Sequence, residues 1–340
     1  MAEVNPYLQD VRQALGVLDL QALEGCTILV AGATGLIGAC VVDLLMQQRQ
    51  VSCTVVALGR NEVRARQRFA AYWNQEHFSF LQGDVTQPLA SDHTFDYIIH
   101  AASNASPNFF LNNPVEVIKA NIRGVEHLME YGMAHGMRRM LYVSSGEIYG
   151  EGNGSVFTET DSGYVDCATP RACYPSSKRT AETLCMAYAT EYGADVVIAR
   201  PCHTYGPYFT ESDNRVYAQF IRNLLAGEDI VMKSAGQHYR SWLYVVDCAV
   251  ALLTILLKGL RGQAYNVADE ASNITIRQMA ELLAASASRK VVMELQPNAS
   301  DTPVMRAVFS TKKLESLGWK PLSTIADGLA HTVAACRQSH

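Results

Sequence analysis

The sequence predicts an α/β protein: a doubly wound parallel sheet with helices on both faces, followed by a smaller carboxy-terminal lobe. Three observations predict it. Short apolar, often β-branched runs alternate with helix-spaced segments as far as Arg200-Pro201. A glycine-rich turn, Gly32-Ala33-Thr34-Gly35-Leu36-Ile37-Gly38, directly follows the first strong strand. Beyond Pro201 the alternation gives way to a loop rich in Pro, Gly and Tyr, and then to smaller elements.

Taken in order, the first element is a short amphipathic helix over 5–24, where Val11, Leu15, Leu18 and Leu23 are roughly helix-spaced. Strands are expected at 26–31, 53–58, 78–81, 96–100, 139–144 and 195–200, each apolar and followed by a turn signal. Helical patterns lie between them at 36–48, 62–73, 112–135 and 175–192. Strands that interleave with helices this way form a parallel sheet buried on both faces. A further helix is expected near 214–226, and segments near 240–267 are expected to return to the sheet. No internal repeat, low-complexity tract or long linker is visible.

Composition excludes several classes of protein. Hydrophobic residues make up 49% of the chain and charged residues 18%, which are globular values. The net charge is −5 with no basic block, so a nucleic-acid footprint is excluded. The nine cysteines carry no metal-type spacing, and only Cys167 and Cys173 fall close together, so reduced thiols and no metal site are expected. Met1 to Asp10 lacks the basic start and apolar core of a signal peptide. Ile28 to Met46 is interrupted by three glycines and Asp43, and Ala249 to Leu257 is too short to span a bilayer. A soluble, cytoplasmic protein with no membrane partner is the expectation.

The glycine turn carries the first chemistry. Glycine lets the backbone approach a pyrophosphate closely, and the helix that follows aims free N–H groups and its positive dipole end at the phosphates. Gly32, Thr34, Gly35, Leu36, Ile37 and Gly38 are therefore candidate contacts for a dinucleotide cofactor, although the spacing is Gly-x-x-Gly-x-x-Gly rather than Gly-x-Gly-x-x-Gly. About 20 residues beyond such a turn an Asp or Glu usually meets the ribose hydroxyl. Here that place reads Leu58-Gly59-Arg60-Asn61. Arg60 can pair with a 2′-phosphate, which favours NADP, or stack on adenine, or face solvent. Asp84, in Gly83-Asp84-Val85 after the third strand, can accept from an adenine amino group or close a turn. The chain then divides into a helical extension over 1–25, a dinucleotide-binding unit over 26–200 with return segments near 240–267, and a mainly substrate-binding lobe over 201–340.

The second chemistry is a phenol beside an ammonium. Of the sixteen tyrosines only Tyr174 has a lysine four residues later, Lys178, and Pro175 suits the first turn of the helix that carries both. The two side chains then share a face, and a cationic neighbour is expected to lower the Tyr174 pKa from near 10. Such a pair can move a proton during hydride transfer at an alcohol or ketone. Upstream, Ser144-Ser145-Gly146-Glu147 ends a strand, and carboxyl ends of parallel strands face the ligand crevice. Ser145 can hydrogen-bond the reacting oxygen and Glu147 can reach a neighbouring carbon; the alternatives are a turn serine and a solvated glutamate.

Jointly these residues resemble the extended short-chain dehydrogenase/reductase family, the nucleotide-sugar epimerases and dehydratases. The resemblance runs from about Thr27 to Pro321. It takes in the glycine turn, Gly83-Asp84-Val85, His100-Ala101-Ala102, Asn121 before Gly124, and Ser144-Ser145-x-Glu147-x-Tyr149-Gly150. It continues through Tyr174-x-x-x-Lys178, Arg200-Pro201, Tyr205-Gly206-Pro207, Arg240 with Tyr244-Val245-x-Asp247, Tyr265-Asn266-Val267 and Leu317-Gly318-Trp319-x-Pro321. It implies a Rossmann-type sheet, a nucleotide-sugar site in the second lobe, and a homodimer built on helices 112–135 and 175–192. It also implies a tightly held NAD, with NADP left open by Gly59-Arg60, and cofactor contacts from Val85, Ala101, Ala102, Ser103, Asn121 and Lys178. By the same resemblance Tyr174 is the base for the sugar C4 hydroxyl, Lys178 orients Tyr174 and the nicotinamide ribose, Ser145 assists, and Arg240 falls on a diphosphate-binding arginine.

Once C4 is a ketone, three outcomes are open: inversion at C4, loss of water across C5 and C6, or loss of carbon dioxide. The 4,6-dehydratases carry an acid before the glutamate, and this chain has Gly146 there. Thr204-Tyr205-Gly206-Pro207, Asn214-Arg215-Val216 and Arg240-Ser241-Trp242 look more like UDP-glucuronate decarboxylases. His203 stands where that group usually has a substrate-touching asparagine, and Phe309 replaces a frequent aspartate. Acid-sugar decarboxylation or 4-epimerisation is thus the leading expectation, with His203, Arg215 and Arg240 joining Ser145, Glu147 and Tyr174 at the substrate. Neutral-sugar epimerisation, dehydration, and a ketoreductase or non-catalytic regulator are the alternatives.

Overall fold

The apolar runs form a seven-stranded sheet in which every pairing is parallel. The structure is a computed structural model that describes residues 5–211, 213–296 and 306–338. The sheet strands are β1 (Thr27–Ala31), β2 (Thr54–Gly59), β3 (Phe78–Gln82), β4 (Tyr97–His100), β5 (Arg139–Val143), β6 (Val196–Pro201) and, returning after the second lobe begins, β10 (Ala264–Val267). Their order is β10-β6-β5-β4-β1-β2-β3. The order therefore reverses between β1 and β4, which opens a crevice at their carboxyl ends.

Helices bury both faces. On one side α2 (Leu36–Gln47) packs beside α8 (Val245–Lys258), whose residues from Val245 to Leu256 are all buried. On the other, α5 (Pro114–Ala134) lies along α6 (Cys173–Glu191), and Val125, Leu128, Met129, Ala181 and Cys185 close a second core over the sheet. Chain direction explains the breaks between these helices. Asn113-Pro114 ends α4 (Pro107–Asn112) and opens α5, because proline has no N–H to continue a helix but fits its first turn. The helix α3 (Glu62–Arg68) stops short of the expected residue 73, and the next residue, Phe69, is fully buried.

The amino-terminal segment differs from a single helix over 5–24. Helix α1 covers Pro6–Ala14, and a 3-10 turn follows at Gln21–Leu23. The N–H groups of Gly16 and Val17 turn back to carbonyls three residues earlier, which tightens and ends the helix. Leu18, Leu20 and Leu23 are nevertheless buried, so the apolar spacing reflects core contact rather than one continuous helix. Tyr7 bonds Asp43 on α2, and Asp10 accepts from Tyr244 at 2.9 Å and lies 2.9 Å from His331 Nδ1. The extension thus ties the sheet helices to the second lobe.

That lobe is built on β9 (Tyr239–Tyr244), which pairs in parallel with β7 (His203–Tyr205) and β13 (Arg306–Ala307) and antiparallel with β11 (Asn273–Thr275). A two-stranded sheet joins β8 (Ile230–Met232) to β12 (Val291–Met293). Around them pack α7 (Val216–Leu225), α9 (Ile276–Ser286), the short α10 (Lys312–Glu315) and α11 (Ile325–Gln338). Within the segment 240–267, α8 and β10 rejoin the large sheet, whereas β9 belongs to the lobe. One hydrophobic core runs through both, from Val30 and Val41 to Tyr217 and Leu283. Residues 1–4 and 339–340, the outer ends of the expected terminal units, lie outside the described residues. Among the described residues no helix is long and apolar enough to cross a membrane, and no cluster of metal-ligating side chains occurs.

Candidate active site

A cleft of about 1170 Å³ opens where the strand order reverses, bounded on its far side by β7, β9 and the loop before α7. The glycine turn forms its floor. Gly32 adopts φ +80°, and a Cβ there would lie 2.6 Å from the Ala102 backbone. A Cβ on Gly38 would lie 2.4 Å from the Gly32 carbonyl oxygen. Only glycine lets the β1 turn touch the β4 turn and lets α2 start against it. Gly35 is the N-cap of α2 and provides no side-chain cap, so the first N–H groups of the helix stay available to the cleft. Ser103 Oγ, in the cleft wall, is buried without a hydrogen-bond partner. These residues fit a dinucleotide pyrophosphate: the cradle is too tight for side chains, and donors line it.

Thr34, Leu36, Ile37, Val85, Ala101 and Ala102 line the same end of the cleft. Arg60 and Asp84 meet at its mouth, 4.0 Å apart and both well exposed. Asp84 Oδ1 also accepts from the Thr86 N–H at 2.9 Å, so the carboxylate closes a turn as well as lining the cleft. Sequence reasoning missed Arg64, whose guanidinium donates to the Thr34 carbonyl at 2.8 Å and braces the turn. Asn121 is placed differently: it lies behind the wall, fully buried, with Nδ2 donating to Ser177 Oγ on α6 at 2.9 Å. Nearby, α5 crosses His100 so closely that a Cβ on Gly124 would meet the imidazole at 2.6 Å.

The proton-transfer pair stands at the end of β5. Pro175 occupies the first turn of α6, which sets Tyr174 and Lys178 toward the cleft. Tyr174 is buried and stacked on Phe110, ring centroids 4.5 Å apart. Lys178 is buried too, donating from Nζ to the Val143 carbonyl at 2.8 Å, with the Tyr174 ring centroid 5.8 Å away. The expected lowering of the Tyr174 pKa is not what this arrangement gives. Burial and then Glu147 push the phenol up to about 12, against a hydrogen bond from Ser145 and the charges of Arg215 and Arg171. Lys178 moves the other way: burial pulls its ammonium down to about 7, with Glu182 and Cys185 opposing. Burial, the largest of these effects on the phenol, outweighs the interactions that lower its pKa, which accounts for the difference.

Ser145 Oγ accepts from the Glu147 N–H at 3.2 Å, so the strand end is wound into a 3-10 turn that presents both side chains to the cleft. Glu147 is not simply solvated. Its Oε2 takes a hydrogen bond from Arg171 Nη2 at 2.7 Å. Arg171 was missed by the sequence reading; its only signal was its place three residues before Tyr174. Gly146, beside Ser145, carries the ring of Phe309, so that a Cβ there would lie 2.5 Å from Phe309 Cζ. Phe309 packs in turn on Tyr149 and Phe157, at 5.6 and 5.9 Å between centroids. Gly146, the departure from the dehydratases, and Phe309, one of the two departures from the decarboxylases, are therefore one contact.

Across the cleft, Arg240 Nη1 lies 2.7 Å from His203 Nε2. Burial, then the charges of Arg240 and Arg215, hold the imidazole well below its usual pKa, so it is neutral and accepts from Arg240. Arg215 grips Asp213 through two nitrogens, Nε at 2.9 Å and Nη2 at 2.5 Å, and donates to the Thr204 carbonyl at 3.2 Å. The arrangement sets a phenol, a hydroxyl and a carboxylate beside the cofactor floor, facing a cationic wall suited to phosphates.

Residues 28–268 match the model of the NAD-dependent epimerase/dehydratase family. The chain belongs to that family. UDP-glucuronic acid decarboxylase 6 of Arabidopsis thaliana is 32% identical over 302 residues, covering 89% of this chain and 86% of the relative. UDP-glucuronic acid decarboxylase 1 of Danio rerio is 31% identical over 307 residues, covering 90% of this chain and 71% of the relative. Among solved structures, a dTDP-glucose 4,6-dehydratase of Streptomyces venezuelae with NAD and TYD bound superposes with a TM-score of 0.78 at 25% identity, over 92% of this chain and 97% of the other. The UDP-glucose 4-epimerase of Thermotoga maritima with UDP-glucose gives a TM-score of 0.79 at 24% identity, over 92% and 99%, and shares the fold.

Proposed function

We propose that the chain is an NAD-dependent enzyme that remodels a nucleotide-activated uronic acid, of the UDP-glucuronate kind, through a transient 4-keto sugar. The outcome is loss of the C5 carboxylate as carbon dioxide or inversion at C4. One observation carries the reading: Tyr174, Lys178, Ser145 and Glu147 converge at the end of β5, against the glycine cradle. The likeness to UDP-glucuronic acid decarboxylases supports the choice of sugar.

Each residue then has a task. When bound, the nicotinamide accepts and returns a hydride at C4. Tyr174, as phenolate, would take the C4 hydroxyl proton as the ketone forms and, as phenol, give it back afterwards; a bound oxidised cofactor would supply the positive charge that opposes the upward push of burial. Ser145 bonds the same oxygen. Lys178 holds a proton at Nζ and orients Tyr174 and the ribose. Glu147 handles the C5 side, and Arg240, Arg215 and the neutral His203 bind the diphosphate and nucleotide. Gly146 offers no proton donor to a leaving hydroxyl, which argues against dehydration.

NAD is the cofactor in this reading. NADP is the second reading, favoured by the exposed Arg60 with Arg64 beside it at the adenine end. A homodimer through α5 and α6 is part of the proposal, supported by Val115, Ile118, Met186 and Tyr192 exposed on those helices and the turn after them. The test is product mass after incubation with UDP-glucuronate, UDP-glucose and dTDP-glucose, with the cofactor identified in the denatured supernatant. The expected result is turnover of UDP-glucuronate alone, with NAD released on denaturation. Water loss from a neutral sugar, or NADP as the main cofactor with Arg60→Ala losing it selectively, replaces the reading.

A further inference from the structure

A uronic acid entering this cleft brings a carboxylate close to Glu147, and two like charges there repel unless a cation lies between them. The cations in the cleft are not equally available. Lys178 donates to the Val143 carbonyl, and Arg215 is fixed on Asp213 by two nitrogens. Arg240 bonds His203, and Arg64 bonds Thr34 at the cofactor end. Arg171 differs. Among the described residues it makes one ion pair, to Glu147, and its side chain is 43% exposed in the cleft wall. Guanidinium offers five N–H donors in a planar fork, so most of its capacity remains for another oxygen acid.

Its location suits that use. Arg171 lies in the 3-10 turn Pro170–Ala172 that runs directly into α6, three residues before Tyr174. Its guanidinium rests over Phe110 at 5.1 Å, and Phe110 also stacks with the Tyr174 ring. The fork is thus held near the reacting phenol by an aromatic platform, with Nη2 on Glu147 and the side chain lining the cleft.

We infer that Arg171 is the specificity-determining residue of this site, receiving the sugar carboxylate on the N–H edges that Glu147 leaves open. This rests on the uronic-acid reading above. Glu147 holds the fork in place before the substrate arrives, and the fork then screens the two carboxylates from each other. A neutral sugar gives Arg171 nothing to grip, so it gains nothing from the pair.

Binding separates this from a structural role. Calorimetric titration of the NAD-loaded enzyme, in a Tyr174→Phe background that prevents turnover, compares UDP-glucuronate with UDP-glucose. Arg171→Gln is expected to weaken UDP-glucuronate about 30-fold or more and UDP-glucose less than about threefold, as loss of a charge-assisted pair does. Arg171→Lys keeps the charge but loses the fork, and is expected to fall between the two; it carries the same comparison if the glutamine variant does not fold. Equal weakening of both sugars, or of neither, overturns the inference. Failure of the underlying reading looks different: the wild-type enzyme would then neither convert UDP-glucuronate nor bind it more tightly than UDP-glucose.

Discussion

Replacing Lys178 with methionine should abolish turnover and make the protein more stable at neutral pH. The side chain is 2% exposed, and burial holds its pKa at about 7. In an unfolded chain the value is about 10.4. Between those two values the unfolded state binds more protons than the folded one, so this residue's contribution to stability rises as pH rises. From the two pKa values, keeping Lys178 costs about 4 kcal/mol at pH 7 and under about 1 kcal/mol at pH 10. Methionine removes that cost and loses the bond to the Val143 carbonyl, worth about 1 kcal/mol. The variant should therefore be more stable by about 3 kcal/mol at pH 7 and about equal at pH 10. Urea unfolding of both proteins at the two pH values measures the difference directly, with cofactor removed from both. Parallel curves, or a variant less stable at pH 7, would refute the assignment of a buried lysine with a depressed pKa. A residue that destabilises the fold and is still present points to use in the site.

Tyr174→Phe removes only the titrating hydroxyl and should lower kcat by about 10²–10⁴-fold with circular dichroism and cofactor content unchanged; more than about a tenth of wild-type kcat would remove Tyr174 from the proton-transfer role. Gly146→Ala should cost about 1–3 kcal/mol in denaturant unfolding because its Cβ meets Phe309 at 2.5 Å. Phe309→Ala opens that space, so the double variant should be at least about 1 kcal/mol more stable than the sum of the two single effects, and strict additivity would mean the contact is absent.

Much of the sheet was legible because parallel strands buried on both faces are continuous apolar runs, and Ile28 to Ala31 or Val55 to Leu58 have no other plausible place. The glycine turn and Tyr174–Lys178 were legible because each is local: a tight turn, or one turn of helix. The helix expected over 5–24 went wrong for the opposite reason, since Leu18, Leu20 and Leu23 follow the shape of the core and not a helical period. Glu147 with Arg171, and Gly146 with Phe309, were invisible because the partners come from separate elements that only the tertiary fold brings together. Protonation states were hidden as well. Sequence places Lys178 beside Tyr174, but burial, which sequence spacing does not report, decides how much charge it carries.

Deuterium at C4 of UDP-glucuronate tests the central claim, an oxidation and re-reduction at that carbon within one turnover. Mass spectrometry of the product from the NAD-containing enzyme should find the label still on C4, with a slowed rate from the isotope, and no exchange with added free cofactor. A product with the label lost to solvent, or with hydrogen drawn from the added free cofactor, would contradict the internal 4-keto route and the roles given to Tyr174, Ser145 and Lys178.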